Sequence, residues 1–127
     1  KLIYRNVDFN SYGFLNATEE FLTDHEDVAQ VVVDAYEEAR EWALANPDET
    51  AALLADVAGI DPKVATTVIG ERSNLDVSGI PGDAQLAVLK KIAPVLVDSD
   101  AVTGGQSAVD QALDTIIEPT FAEKAAG

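Results

Sequence analysis

The sequence predicts a mainly α-helical fold with a short β portion at its N-terminus. From residue 18 onward, apolar residues recur every three or four positions and are separated by capping residues and prolines, as in amphipathic helices. Before that point, residues 1–4 and 12–17 are two short runs of aromatic and aliphatic side chains, which favours two strands. We therefore expect these strands to be followed by about five helices.

The longest predicted helix follows two candidate start signals. Asn16 or Thr18 can cap a short helical turn, and Thr23 with Glu26 fits a capping box. Downstream, apolar residues with spacings of four and three positions form one stripe: Val28, Val32, Ala35, Ala39 and Trp42. We expect this stripe to be buried and the acidic opposite face to lie in solvent.

Proline and glycine mark two shorter helices after the long one. Asn46-Pro47 and Asp61-Pro62 are helix starts, with the proline at the first helical position. Gly59 suits the left-handed cap that ends the first of these helices. Tight turns between short helices predict that they pack against one another.

The C-terminal third predicts two further helices. Pro81 opens a helix that Pro94 should distort or shorten. Ser107 can cap a last helix that Pro119 ends, and residues 123–127 are expected to be frayed.

Composition excludes several classes of partner. The chain has 127 residues and a net charge of -15, from 23 acidic and 8 basic residues. Nucleic-acid binders and helices that dock on anionic lipid need clustered Lys and Arg, so neither role is expected. No apolar run approaches the roughly 20 residues that span a bilayer. The chain has the size of one domain at most.

No set of residues forms a catalytic or metal-binding pattern. His25 is the single histidine and cysteine is absent, so no metal set and no nucleophile paired with a histidine base can be assembled. Gly104-Gly105 lacks the spacing of a phosphate-binding loop, and the aspartates after residue 97 lack a calcium-loop pattern. We expect no enzyme activity, no metal and no cofactor.

Arg72 is a candidate for a ligand contact. It is the only basic residue between Lys63 and Lys90, at the predicted end of the helix that starts at Asp61. Its planar guanidinium suits a pair of sulfonate, nitrate or carboxylate oxygens. Alternatively, it compensates the helix C-terminus and pairs with a nearby acid. Both roles stay open at this point.

Several short segments, taken in order, resemble one family of binding proteins. They are Leu2-Ile3-Tyr4-Arg5, Tyr12-Gly13-Phe14-Leu15-Asn16-Ala17, Glu20-Phe21-Leu22, Ala39-Arg40-Glu41-Trp42-Ala43, Asn46-Pro47-Asp48-Glu49, Glu71-Arg72-Ser73 and Ala112-Leu113-Asp114. Each also marks a structural boundary, but the series resembles the C-terminal part of periplasmic solute-binding proteins of the sulfonate, nitrate and taurine class. One departure is that Val95-Leu96-Val97 passes directly to Asp98, where the family often has a longer aromatic stretch.

The resemblance implies a fragment of a two-lobed α/β fold, the type II periplasmic-binding-protein fold. Its members close around a small anion, such as an aliphatic sulfonate, taurine or nitrate, and deliver it to the membrane permease of an ABC importer. The chain would be the C-terminal segment of the substrate-binding subunit, with the N-terminal lobe of the same protein as a further partner. A periplasmic or extracytoplasmic location is implied, and we expect the natural start, with any lipid anchor, to lie upstream.

The resemblance also assigns domains and candidate ligand-binding residues. Residues 1–17 would be the crossover and hinge strands, and residues 18–127 the helical C-terminal part of a lobe. Asn10, Ser11 and Tyr12 would supply donors at the edge of the cleft, and Arg72 would face the same cleft.

The alternative hypothesis is a self-contained acidic helical module for protein interaction, without catalytic activity. A lobe fragment lacks its sheet partners and exposes an apolar face. A self-contained module closes its helices on each other and leaves no large apolar patch. Exposed apolar surface is therefore the observation that separates the two hypotheses.

Overall fold

A computed structural model of the protein describes residues 12–127, which form helices joined by short connections. In chain order, the elements are α1 (Glu19–Asp24), α2 (Glu26–Ala45), α3 (Pro47–Ala58), α4 (Pro62–Thr67), a π-helical turn (Val68–Arg72), α5 (Asp83–Asp98), α6 (Gly105–Thr115) and α7 (Thr120–Ala125). No strand occurs within this part of the chain.

The predicted β portion and the two-lobed α/β fold are wrong for the residues that the structure describes. Residues 12–18 have no regular secondary structure, and the elements after them are helical. A strand must pair its backbone groups with a neighbouring strand, and residues 12–127 contain none to pair with. The predicted strand at residues 1–4 lies outside the described residues, and the domain boundary at residue 17 stays a prediction.

Three predicted helix boundaries are confirmed. The Thr18 hydroxyl accepts a hydrogen bond from the amide of Phe21 at 3.1 Å, and Asp61 accepts one from the amide of Lys63 at 2.8 Å. Gly59 follows α3 with a φ of 63°, the left-handed conformation that a C-terminal glycine adopts readily. Contacts within four residues fix these helix ends, so local sequence signals predict them well.

The predicted capping box at Thr23 and Glu26 is wrong. The Thr23 hydroxyl donates to the carbonyl of Glu19 at 2.9 Å, and α2 begins without a side-chain cap. Asn46 does not cap α3 either, because its amide donates to the carbonyl of Trp42 at 2.8 Å and so satisfies the end of α2. A single residue separates each pair of helices, so both side chains serve the preceding helix.

The face of α2 that the rest of the protein covers differs from the face that its apolar pattern predicts. Val28, Val32 and Trp42 of the predicted stripe are 46%, 39% and 46% exposed. The better-covered stripe lies one position further along the chain, or two at Glu37: Ala29, Val33, Glu37, Arg40 and Ala43. Valines occur in both stripes, and the helices that pack against α2, which are α1, α3 and α7, determine which one is covered.

The helices meet mainly through alanine. The buried apolar residues of the described chain are Ala29, Ala51, Ala65, Val88 and Ala93. Alanine lets helix backbones approach closely, but it buries far less apolar surface than leucine or phenylalanine, whose burial stabilises by about 1.5–3 kcal/mol. In backbone packing, α2 lies against α1, α3 and α7, α3 against α4 and the π-helical turn, and α5 against α6. The core is therefore thin.

The accessible surface of the chain is larger than that of a compact monomer of the same mass. The chain exposes 9469 Å² at a mass of 13.4 kDa, while a compact monomer of that mass exposes about 6,500 Å². The eleven residues outside the description can contribute at most about 2,000 Å² of this difference, at ~1.45 Å² per dalton. The helices themselves therefore expose additional surface.

The C-terminal third differs from the prediction in three places. Helix α5 continues through Pro94 to its end at Asp98, and α6 begins before Ser107. Pro119 precedes helix α7, where fraying was predicted, and the Glu118 carboxylate accepts a hydrogen bond from the amide of Thr120 at 2.8 Å. A six-residue helix shows little periodicity and is marginal alone, so α7 depends on its contact with α2.

We predict that Gly104→Ala destabilises the protein by about 1–3 kcal/mol. Gly104 has a φ of 88°, and a Cβ placed there would lie 2.7 Å from the Cβ of Ala108, so strain and overlap combine. Gly70→Ala is the matched control, because its Cβ would meet nothing within 4 Å. Urea unfolding followed by circular dichroism measures both, and equal stability of the two variants would contradict the prediction.

Candidate functional site

An apolar groove of about 920 Å³ lies between the irregular N-terminal segment and four of the helices. Its walls are formed by residues 12–17, α1, α2, the loop at residues 74–81, the first half of α5, residues 116–118 and α7. Most of the lining side chains are aliphatic or aromatic. The aromatic run that was predicted as a strand contributes one of these walls.

Large apolar side chains of the groove walls are in contact with solvent. Leu15, Tyr36 and Ile116 are 54%, 62% and 51% exposed, and Phe14 and Phe21 are 38% and 37% exposed. Soluble monomers rarely leave large contiguous apolar surface uncovered unless a partner or ligand binds there. The groove is therefore the candidate binding site.

An ion pair within α2 is linked by a hydrogen bond to the loop at residues 74–81. Arg40 donates from Nε to Glu37 Oε2 at 2.9 Å and from Nη2 to Glu37 Oε1 at 2.6 Å. Its Nη1 donates to the carbonyl of Leu75 at 2.7 Å. Both side chains are largely covered, at 23% and 17% exposed. The guanidinium thus holds one groove wall against another.

The pair also sets the charge state of its members. Hydrogen bonds from Arg40 hold the pKa of Glu37 below its ordinary value of 4.5, and hydrogen bonds to Glu37 raise the pKa of Arg40. Partial burial acts against both shifts, but the hydrogen bonds outweigh it. Both groups are therefore charged at neutral pH, and the positive charge of Arg40 is matched within the protein.

Helix α7 forms another wall of the groove, and polar contacts with α2 fix its position. Gln30 Nε2 donates to the Phe121 carbonyl, and Lys124 Nζ lies 3.3 Å from Glu26 Oε1. The same ammonium lies 5.6 Å from the centroid of the Phe121 ring. At the start of α7, hydrogen bonds from Thr120 lower the pKa of Glu118. These contacts hold the groove-facing side of α7 in place.

One of the four predicted ligand-binding residues lines the groove. Tyr12 lies in the wall, with its ring centroid 6.4 Å from that of Phe14. Arg72 ends the π-helical turn, is exposed, and does not line the groove. Asn10 and Ser11 lie outside the described residues, and their role as ligand contacts stays a prediction.

The sequence prediction missed the Glu37–Arg40 pair. Opposite charges at i and i+3 are neighbours on a helix surface, so the pair itself had a local signal. Glu37 was assigned to the solvent face because acidic side chains are usually solvated. Its cover comes from the loop that contains Leu75, which is 35 residues from Arg40 in the chain. No local pattern encodes that contact.

Other polar groups of the described chain do not form a second candidate site. The ring of His25 lies 5.3 Å from the ring of Phe21, and His25 is exposed. A shallow acidic cavity of about 530 Å³ lies beside Glu26 and Lys124. Within residues 12–127, no three acidic, histidine or cysteine side chains are grouped as a metal site requires. None of the described helices combines the length and apolar character needed to cross a membrane.

Comparison with known proteins supplies no family for this chain. No family model, curated protein or solved structure matches it. The resemblance to solute-binding proteins therefore stays a prediction. The groove is the observation on which a functional proposal can be built.

We predict that Gly79→Ala loosens the loop at residues 74–81 and lowers stability by about 1 kcal/mol. A Cβ at Gly79 would lie 2.8 Å from Glu37 Oε2, which is the oxygen that accepts from Arg40 Nε. Relieving the overlap breaks that hydrogen bond. Gly13→Ala is the matched control, since Gly13 also lines the groove and its Cβ would meet nothing within 4 Å.

Urea unfolding and amide hydrogen exchange in the loop measure this effect. Gly79→Ala should lower the unfolding midpoint and speed exchange near Leu75, while Gly13→Ala should do neither. If the two variants behave identically, the Glu37–Arg40 pair does not help to position the guanidinium that donates to the Leu75 carbonyl.

We predict that the stabilisation from Glu37 is lost in acid. Because the pKa of Glu37 is lowered in the folded state, its contribution is fully present above pH 4.5, the ordinary value, and disappears as pH falls through the folded pKa. Wild type should exceed Glu37→Gln by about 0.5–1 kcal/mol at pH 7. Urea unfolding between neutral and acidic pH measures this difference. A difference that does not shrink below pH 4.5 would contradict the prediction.

Proposed function

We propose that this chain is a non-catalytic helical module that binds a segment of another protein in the apolar groove. The observation that carries the proposal is the exposure of large apolar side chains along the groove walls. A partner that covers these walls gains roughly 25 cal/mol for each Å² of apolar surface removed from water. The groove supplies that surface on several helices at once.

The module differs from the alternative hypothesis in one respect. The exposed groove walls count against a module that closes on itself and agree with the exposed apolar face expected of a lobe fragment. The described residues form no α/β lobe, so we propose instead a module whose apolar surface a partner covers. Four of the five buried apolar residues are alanines, and many larger apolar side chains of the described chain are exposed. A bound segment would therefore complete the packing that the helices leave open.

The openness of the walls favours a protein segment over a small molecule. The groove volume of about 920 Å³ lies near the upper end of small-molecule pockets, which span roughly 300–1,000 Å³. Such pockets enclose their ligands, whereas Leu15 and Tyr36 of the groove walls are more than half exposed. A long segment lying along the groove fits this shape better than an enclosed ligand does.

The carboxylates that line the groove support a binding role without catalysis. Glu37 is hydrogen-bonded to Arg40, and Glu118 accepts from the amide of Thr120. Each has a lowered pKa, which makes it a poor general base at neutral pH. Both groups act as structural acceptors in the groove wall.

Import of a small anion stays a prediction from the resemblance. An oxyanion site needs an available cation, but Arg40 is paired with Glu37 and Arg72 lies outside the groove. The permease, the missing lobe and the periplasmic location likewise stay predictions. Within the described residues, the groove favours a protein partner.

The proposal predicts that the groove binds an uncharged amphipathic peptide. The probe is a helical peptide of about 18 residues, or five turns, with leucine on one face and glutamine on the other. Titration followed by ¹⁵N–¹H NMR should shift amides in the groove walls. Leu15→Ala should weaken binding about tenfold, because it removes apolar contact from a wall.

Leu53→Ala is the control for this experiment. Leu53 is 55% exposed, against 54% for Leu15, but it lies on α3 and does not line the groove. Its substitution should leave affinity within about twofold. Equal effects of both substitutions, or no amide shifts in the groove walls, would overturn the proposed function.

A further inference from the structure

We infer that the segment bound in the groove is a basic amphipathic helix of the partner protein. This inference rests on the proposed function and adds the charge and the secondary structure of the bound segment. Three features support it: the charge around the groove, the absence of strands in the described chain, and the shape of the α2 wall.

The helices that form one side of the groove are strongly acidic. Residues 19–45, which comprise α1 and α2, contain nine Asp or Glu and a single Lys or Arg, which is Arg40. The chain as a whole has a net charge of -15. An acidic field of this kind attracts Lys and Arg and repels acidic partners, nucleic acid and anionic lipid.

The charged residues that line the groove also have a negative net charge. Of the described lining residues, Glu37 and Glu118 are acidic and Arg40 is the basic one. The Arg40 charge is matched by Glu37, so the lining has a net charge of -1. An occupant with apolar contacts inside and Lys or Arg at its edges complements this arrangement.

A helix fits the groove better than a segment that binds as an added β-strand does. Such a segment pairs its backbone groups with the edge of a sheet. Residues 12–127 offer no strand for this pairing. A helix satisfies its own backbone hydrogen bonds and needs only an apolar face.

The α2 wall has the length of a short helix. Its lining residues run from Ala29 to Arg40, which corresponds to roughly 17 Å at 1.5 Å per residue. That distance accommodates about three turns of a partner helix. A second copy of this chain is a poor occupant, because each copy has a net charge of -15.

The test compares three helical peptides that share one leucine face and differ in the opposite face, which has lysine, glutamine or glutamate. We expect the lysine peptide to bind at least tenfold more tightly than the glutamine peptide, and the glutamate peptide to bind most weakly. Added salt should reduce the lysine preference, because it screens charges at the groove edge.

Two substitutions that each add one positive charge to α2 test where the peptide binds. Val32 lines the groove, and Val31 lies beside it on α2, outside the groove, at 66% exposed. Val32→Lys should weaken binding of the lysine peptide at least tenfold, while Val31→Lys should change it less than threefold. Equal losses would show general attraction to an acidic protein and would overturn the inference.

A second pair of variants keeps the test independent of the folding of Val32→Lys. Glu118→Gln removes a groove charge and keeps the oxygen that accepts from Thr120, while Glu123→Gln removes an exposed charge of α7 outside the groove. Only Glu118→Gln should lower the lysine preference, by about two- to threefold. Circular dichroism confirms that each variant remains helical.

The outcomes separate this inference from the proposed function. If the glutamine peptide shifts the groove amides but lysine gives no gain, the basic helix is wrong and the protein-binding function stands. If no peptide reaches the groove, both are wrong. Concentration-dependent shifts of the groove amides without peptide would identify a second copy as the occupant and would also overturn the inference.

Discussion

The geometry of the groove depends on the hydrogen bonds that Arg40 makes from α2. One guanidinium contacts a carboxylate on its own helix and the carbonyl of Leu75 in the loop at residues 74–81. Both side chains of the ion pair keep some contact with solvent, and such a pair contributes only about 0–1 kcal/mol, so the stability of the whole chain does not rest on it. Its role is geometric, because it fixes the distance between two walls that local sequence does not connect.

The thin core and the acidic surface are complementary features of the chain. Contacts made through Ala29, Ala51 and Ala65 bring helices together but leave larger apolar side chains outside. Exposed apolar surface promotes association between copies, and a net charge of -15 opposes it. The same charge destabilises the compact state by self-repulsion. A basic partner would relieve that repulsion while it covers the apolar surface.

The sequence predicts those parts of the fold that depend on contacts a few residues apart. The caps at Thr18 and Asp61 and the glycine at position 59 are of this kind. The covered face of α2 is displaced from the predicted one, because apolar residues occur in both stripes and the helices packed against α2, which are α1, α3 and α7, choose between them. Helix α7 and the loop contact of Arg40 depend on residues distant in sequence. The groove as a whole therefore required the three-dimensional structure.

Helix α7 shows how binding and folding are coupled in this protein. Six residues do not form a stable helix alone, and its exposed ion pair between Lys124 and Glu26 is weak. Gln30 donates to the α7 backbone, but its own Oε1 is buried without a partner among the described residues, which offsets part of that contact.

A segment in the groove would contact α2 and α7 together, because Phe121, Ala122 and Ala125 also line the groove. A ligand that binds only the docked arrangement stabilises that arrangement by RT ln(1 + L/Kd), where L is its free concentration. With a segment bound, α7 would be held partly by α2 and partly by that segment. A bound partner would therefore account for two features together: the exposed apolar residues of the groove, and a helix α7 too short to be stable alone.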